Sequence, residues 1–130
     1  QSRDKLFCVL NGGVHHHLPS SGGFGQIIPK NYKIINITGA NENRALQQVN
    51  LVGPLCTSID KLAGNLEMHA PKINDHIIIL NSGGYSLTAS PILFLSQPLP
   101  VEYLYDEDNI KRTSYEIVSK SKTQTLFYAN

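Results

Sequence analysis

The residues of this chain best suited to chemistry stand at two turns. The stretch Gly53-Pro54-Leu55-Cys56-Thr57-Ser58-Ile59-Asp60 places a lone thiol just after a Gly-Pro pair. Pro54 fixes its own φ and restricts Gly53, and Gly53 accepts angles that other residues refuse, so the backbone turns sharply and holds Cys56 at a surface or cleft. The second turn, Asn81-Ser82-Gly83-Gly84-Tyr85, ends an apolar run in two glycines and a phenol. A third cluster, His15-His16-His17, invites a metal reading. Adjacent residues on an extended chain face alternate sides, so no metal site is expected there, and a loop facing a polar cleft is the simpler reading. No Ser-His-Asp or Cys-His-Asn order is legible. Residues 20–25 are small and glycine-rich but carry neither a P-loop lysine nor a GxGxxG pattern. Cys56 also fits a small buried apolar residue, and Tyr85 a core aromatic with its hydroxyl satisfied. Asp60 and Asp75 read as surface or turn residues.

The elements that must position these residues are mostly strands. Residues 5–10 form a short apolar run, broken by Asn11-Gly12-Gly13. Residues 26–38 read as a long strand, with Pro29 marking an edge or bulge. A polar turn at 39–43 would close a hairpin onto a strand at 47–52. Residues 59–68 alternate loosely. Residues 76–80, with Ile77, Ile78 and Ile79 in succession, read as a strand buried on both faces. Residues 86–96 suggest a helical turn or irregular crossing around Pro91. Residues 101–105 and 110–112 should form a hairpin with the acidic tip 106–109. Thr113 and Glu116 fit a capping box, predicting a short C-terminal helix from Ser114 with Phe127 and Tyr128 tucked against the sheet. Many short strands and little helix predict a mostly β, single β-barrel domain spanning 1–130.

Bulk properties exclude several functions. Eleven basic residues against ten acidic ones give no support for binding nucleic acid or a membrane surface. No apolar run is long enough to span a bilayer, and no signal peptide is expected. Cys8 and Cys56 fit no metal spacing, and reduced thiols in a cytoplasmic protein are expected. The abrupt start at Gln1-Ser2-Arg3-Asp4 suits a piece of a longer protein.

In chain order, these turns resemble the C-terminal barrel domain of the fold-type III pyridoxal-phosphate decarboxylases, the diaminopimelate and ornithine decarboxylase family, with the barrel of the alanine racemase type. Asn11-Gly12-Gly13-Val14 resembles the family's Gly-Gly strand end. Gly53 to Asp60 resembles its Gly-Pro-x-Cys-x-x-x-Asp motif. Asn74-Asp75-His76-Ile77 resembles the turn before its inner strand, and Ser82-Gly83-Gly84-Tyr85 its Gly-Ala-Tyr, with Gly84 in place of alanine. Leu99-Pro100-Val101-Glu102-Tyr103 resembles its closing strand. His15-His16-His17-Leu18, Ser21 to Gln26 and Asn31-Tyr32 resemble a subgroup associated with exopolysaccharide, siderophore and aminoglycoside pathways, some members of which act on carrier-protein-linked amino acids.

The resemblance implies a lyase with pyridoxal 5'-phosphate bound by a lysine of an N-terminal α/β barrel that this chain lacks, so the isolated domain is expected to be inactive. It implies a cytoplasmic homodimer in which Cys56 is catalytic across the subunit boundary and Tyr85 touches the cofactor phosphate. Tyr32 and Thr57 are the expected substrate contacts. Ile28-Pro29-Lys30 stands where diaminopimelate decarboxylases carry an Arg-Pro pair, and Thr57 where the family often has an acid. Both departures argue against diaminopimelate and for an amino acid whose distal end is neutral, anionic or tethered. The rival readings are an alanine-racemase-like domain, from which the Cys56 turn departs, and a non-catalytic β-barrel binding module using the histidine loop.

Overall fold

Alternation, turn chemistry and two glycine-dependent close approaches shape the computed structural model of this chain, which describes residues 5–22, 25–28, 30–106 and 109–113. The chain divides into a first unit ending at Leu95 and a second beginning at Ser96. In the first unit β1 (Leu6–Val9) leads into a one-turn helix α1 (Val14–His17) and a 3₁₀ turn (Leu18–Ser21). Then follow β2 (Ile34–Asn36), α2 (Ile37–Asn41), β3 (Leu46–Val52), β4 (Lys61–His69), β5 (Ile77–Ile79) and α3 (Tyr85–Thr88). In the second unit β6 (Glu102–Asp106) pairs antiparallel with β7 (Asn109–Thr113), the hairpin expected from the acidic tip. The result is mostly sheet with few helices. Residues 114–130, and with them the expected C-terminal helix, lie outside the described residues.

The core sits on one sheet of order β1-β3-β4. β3 runs parallel to β1, with Cys8 opposite Leu51, and antiparallel to β4, with Leu51 opposite Ala63. Val49, Leu51, Leu62, Ala63 and Met68 from these strands meet Val14 of α1, Ile34 of β2 and Leu55 of the Gly-Pro turn. Full burial of a Val or Leu side chain contributes about 1.5–3 kcal/mol, so this cluster is what holds α1 and the turn against the sheet. The β3–β4 register shifts between Val49 and Leu51. There Asn65 takes φ 46° and donates its N–H to Asn50 Oδ1 at 3.2 Å, which leaves the Gly64 backbone free for another partner.

Three expectations fail for identifiable reasons. Residues 26–38 are not one strand: only Ile34–Asn36 joins a sheet. The side chains of Gln26 and Asn31 bond to backbone elsewhere, and Asn36 stops the strand by capping α2, its Oδ1 accepting the Gly39 N–H at 2.9 Å. The expected hairpin with β3 is also absent, because β2 pairs with β5 instead. β5 is half-buried rather than buried on both faces, since β2 is its sole strand partner among the described residues.

Candidate functional site

Asp60 is the joint of the site. Its side chain is buried, at 4% exposure. Oδ1 accepts the Val14 N–H at 2.8 Å and Oδ2 the Leu55 N–H at 2.7 Å. One carboxylate thus ties the first residue of α1 to the Gly-Pro turn, satisfying two backbone donors that burial would otherwise leave unpaired. The Gly53 N–H donates to the Asp60 carbonyl at 3.0 Å and closes the loop between them. This explains why both motifs need glycine. A Cβ on Gly13 or on Gly53 would collide with the Asp60 carboxylate, and one on Gly53 would also strike the Gly13 backbone. Asp60 is therefore no surface residue, and the requirement for small neighbours was its signal in the sequence.

From this joint α1 reaches the other motifs. The Leu18 N–H at its end donates to Ser90 Oγ at 2.8 Å, just past α3, and α1 packs on α3, whose first residue is Tyr85. The His17 ring meets the edge of Tyr32 at 4.9 Å between centroids. The structure thus brings the Cys56 turn, the Tyr85 helix and Tyr32 together around α1.

The histidines are not a loop facing a polar cleft. His15 and His17 are buried, at 1% and 7% exposure, and their four ring nitrogens have no hydrogen-bond partner among the described residues. Burial lowers the pKa of both; for His15 the neighbouring His16 lowers it further while Asp60 opposes. Their burial removes the premise of a histidine-loop binding module. Among the described residues no group of three His, Cys, Asp or Glu side chains is gathered as for a metal ion.

The expected site residues divide by exposure. Cys56 is an exposed free thiol beside half-buried Thr57, and Tyr85 is 70% exposed. Neither the buried cysteine nor the core tyrosine is found. A Cβ at Gly83 or Gly84 would meet nothing within 4 Å, so the ground next to the phenol is open. Tyr32 is half-buried and lines a shallow cleft of about 330 Å³ with Gln26, Ile28, Lys30 and Asn31. Cys56, Thr57 and Tyr85 line none of the best-formed clefts; that of about 560 Å³ lies between β1 and residues 71–77, away from them.

A second network steadies the far side of the sheet and was not legible in the sequence. The Arg44 guanidinium donates to both Asp75 oxygens, at 2.6 and 3.0 Å, to Glu42 at 2.8 Å and to the Ala70 carbonyl at 2.8 Å. Asp75 also accepts from Asn36 and from the Lys72 N–H. The Arg44 hydrogen bonds hold the Asp75 carboxyl well below the usual range. Its side chain is 5% exposed, so Asp75, like Asp60, is a buried organiser. Cys8, half-buried on β1, has its thiol pKa raised by burial and by Asp75.

Comparison with known proteins places this geometry. The model of the pyridoxal-dependent decarboxylase C-terminal sheet domain matches residues 1–83. An L-glutamyl-[BtrI acyl-carrier protein] decarboxylase of Niallia circulans is 34% identical over 124 residues, 94% of this chain and 28% of that protein. Among solved structures, AQ1208 of Aquifex aeolicus matches with a TM-score of 0.74 at 21% identity, over 86% of this chain and 26% of its own. Diaminopimelate decarboxylase of Helicobacter pylori in complex with L-lysine matches with a TM-score of 0.67 at 22% identity, over 85% of this chain and 25% of its own. These likenesses show the fold, and the chain spans about a quarter of the length of each relative.

Proposed function

This chain belongs to the C-terminal sheet domains of the pyridoxal-dependent decarboxylases, and we propose that it is the sheet half of a two-domain enzyme releasing carbon dioxide from the α-carbon of an amino acid. The observation that carries the reading is the pairing of exposure with bracing: Cys56 and Tyr85 stand out from turns fixed by Asp60 and by Ser90. An α/β barrel carrying the cofactor lysine, and a second subunit, would supply the missing walls. In that assembly the sheets close into a barrel, and the site lies in the cytoplasm, where Cys56 stays reduced.

Pyridoxal phosphate, when bound, supplies the electron sink for the pair left as the carbon–carboxylate bond breaks. The residues here fit it. The ground at Gly83 and Gly84 is open, and the Tyr85 hydroxyl would hold the cofactor phosphate there. Cys56 Sγ–H stands as general acid, giving its proton to the α-carbon of the substrate on the partner subunit and regaining one from water. Asp60 positions that thiol by fixing the turn on both sides of it. Tyr32, edge-on to His17, and Thr57 line the substrate's distal end.

Thr57 sets the substrate class. A hydroxyl cannot compensate a buried ammonium, and an unpaired buried charge costs on the order of 3–5 kcal/mol. The distal group is then neutral, anionic or tethered, and the reading is a glutamate-like amino acid held on a carrier protein. The glutamyl-carrier activity named for the Niallia circulans relative agrees in kind. The test is carbon dioxide release by the full-length enzyme from free diamino acids and from carrier-linked acidic ones, with Cys56→Ala alongside. Carrier-linked glutamate should be preferred, and the variant should lose about 10²–10⁴ in turnover or redirect the product. Efficient turnover of free meso-diaminopimelate, or an unimpaired variant, overturns the reading.

A further inference from the structure

The loop before β2 exposes more apolar surface than folding alone explains. Ile27 is 98% exposed and Ile28 74%. Exposed adjacent isoleucines usually signal either a floppy segment or a contact surface, and the hydrogen bonds here favour the second. Gln26 holds one end of the loop, its Nε2 donating to the Pro19 carbonyl at 3.3 Å and its Oε1 accepting the Lys30 N–H at 2.9 Å. Asn31 holds the other end against the bulge in β4, donating to the Gly64 carbonyl at 2.8 Å and accepting the Gly64 N–H at 3.1 Å. The two side chains act as clamps, and the isoleucines between them are presented to solvent.

The surroundings are positive. Lys61 Nζ lies over Gly64, 2.5 Å from where a Cβ would stand, which sets its ammonium beside the Asn31 clamp. Lys30 is exposed within the loop. Among the described residues neither lysine is ion-paired, and of the acids described in the first unit all but Glu67 are engaged elsewhere. Asp60 binds backbone amides, while Asp75 and Glu42 bind Arg44.

We propose that this loop is the docking site for the substrate-bearing carrier protein, taking an acidic amphipathic helix whose apolar residues cover Ile27 and Ile28 while its carboxylates meet Lys30 and Lys61. The inference rests on the carrier-linked reading of the substrate. It adds where the carrier sits: next to Tyr32, which shares the shallow cleft with Ile28 and Lys30. Tethering makes delivery of the aminoacyl arm effectively intramolecular once the carrier docks, so a weak and salt-sensitive contact suffices.

The test uses the full-length holoenzyme and two probes: the glutamyl thioester of an acidic acyl-carrier protein, and glutamyl N-acetylcysteamine thioester, which needs the active site but no docking surface. Ile27→Asp and Lys61→Glu should each lower kcat/KM for the carrier-bound probe by about tenfold, chiefly through KM. Both should leave the small thioester within about twofold of wild type. Added salt should weaken the carrier reaction of the wild type more than that of Lys61→Glu. Equal losses on both probes, or no loss on either, overturn the docking site. A wild-type enzyme that consumes only free amino acids overturns the carrier reading and the docking site together, before any variant is made.

Discussion

Replacing Gly13 by alanine should be costly only while Asp60 keeps its carboxyl-sized side chain. Gly13 has φ −149° and ψ −157°, extended backbone that alanine adopts without strain. The obstacle is Asp60, whose Cγ lies 2.9 Å from where the new Cβ would stand, with both oxygens closer still. To admit the methyl the carboxylate must withdraw from the Val14 N–H. A hydrogen bond to a charged group contributes about 1.5–3 kcal/mol, and that is the expected cost of Gly13→Ala. Asp60→Ala loses both backbone bonds, about 3–6 kcal/mol, which is a large share of a typical stability of about 5–15 kcal/mol. In that background the obstacle is gone, so adding Gly13→Ala should cost only the ~0.5–1 kcal/mol of a poorer helix N-cap. The cap cost is common to both backgrounds and adds to the wild-type figure, so the coupling is that of the lost hydrogen bond, about 1.5–3 kcal/mol. Asp60→Asn is the control: it keeps the obstacle and one acceptor, so Gly13→Ala should remain costly there. Urea unfolding of the four cycle proteins and of the Asn pair measures each term. Additivity within about 0.5 kcal/mol would refute the claim that Asp60 is what forbids a side chain at Gly13.

Two further predictions concern pH. Burial holds the folded-state pKa of His15 and His17 below the ordinary imidazole value of about 6.5, so between the two values the unfolded chain binds more protons. Their contribution is complete above about pH 6.5 and is lost as pH falls, so the urea midpoint should drop from pH 7 to 5 and His15→Leu or His17→Leu should flatten that fall. Asp75, held low chiefly by Arg44, contributes stability that is present above the ordinary carboxylate range and lost on acidification through its folded value. Arg44→Met should destabilise the domain at neutral pH, and Asp75→Asn should remove part of its acid sensitivity, both read from thermal unfolding against pH.

What the sequence made legible follows from how local each signal is. The Gly-Pro turn, the double glycines and the strands β3 and β4 are determined within a few residues and stand where the pattern put them, although β3 buries Val49, Asn50 and Leu51 in succession rather than in alternation. The strand expected over residues 26–38 failed because periodicity does not register side chains that bond to distant backbone, as Gln26 does to Pro19 and Asn31 to Gly64. Asp60 and Asp75 stand at turns, as read, but their side chains are buried rather than at the surface, and the reason is related. A carboxylate looks like a surface group unless its partners are known, and those partners are the Val14 amide, 46 residues away, and Arg44, 31 residues away.

The histidines show the same limit from the other side. Three in a row suggest an exposed polar loop, yet one helical turn directs His15 and His17 inward, where their rings pack on His16 and Tyr32. A buried imidazole without a hydrogen bond is a costly choice beside an apolar residue of similar size. Both rings are already enclosed within the first unit, so that cost would be understandable if the imidazoles serve the proposed full-length enzyme rather than this unit's own packing. Leucine at position 15 or 17 should then leave the isolated domain as stable as before, or more so, at neutral pH. In the full-length enzyme it should weaken either cofactor retention or subunit association. Unchanged assembly and activity alongside a destabilised domain would mean that the imidazoles serve packing alone.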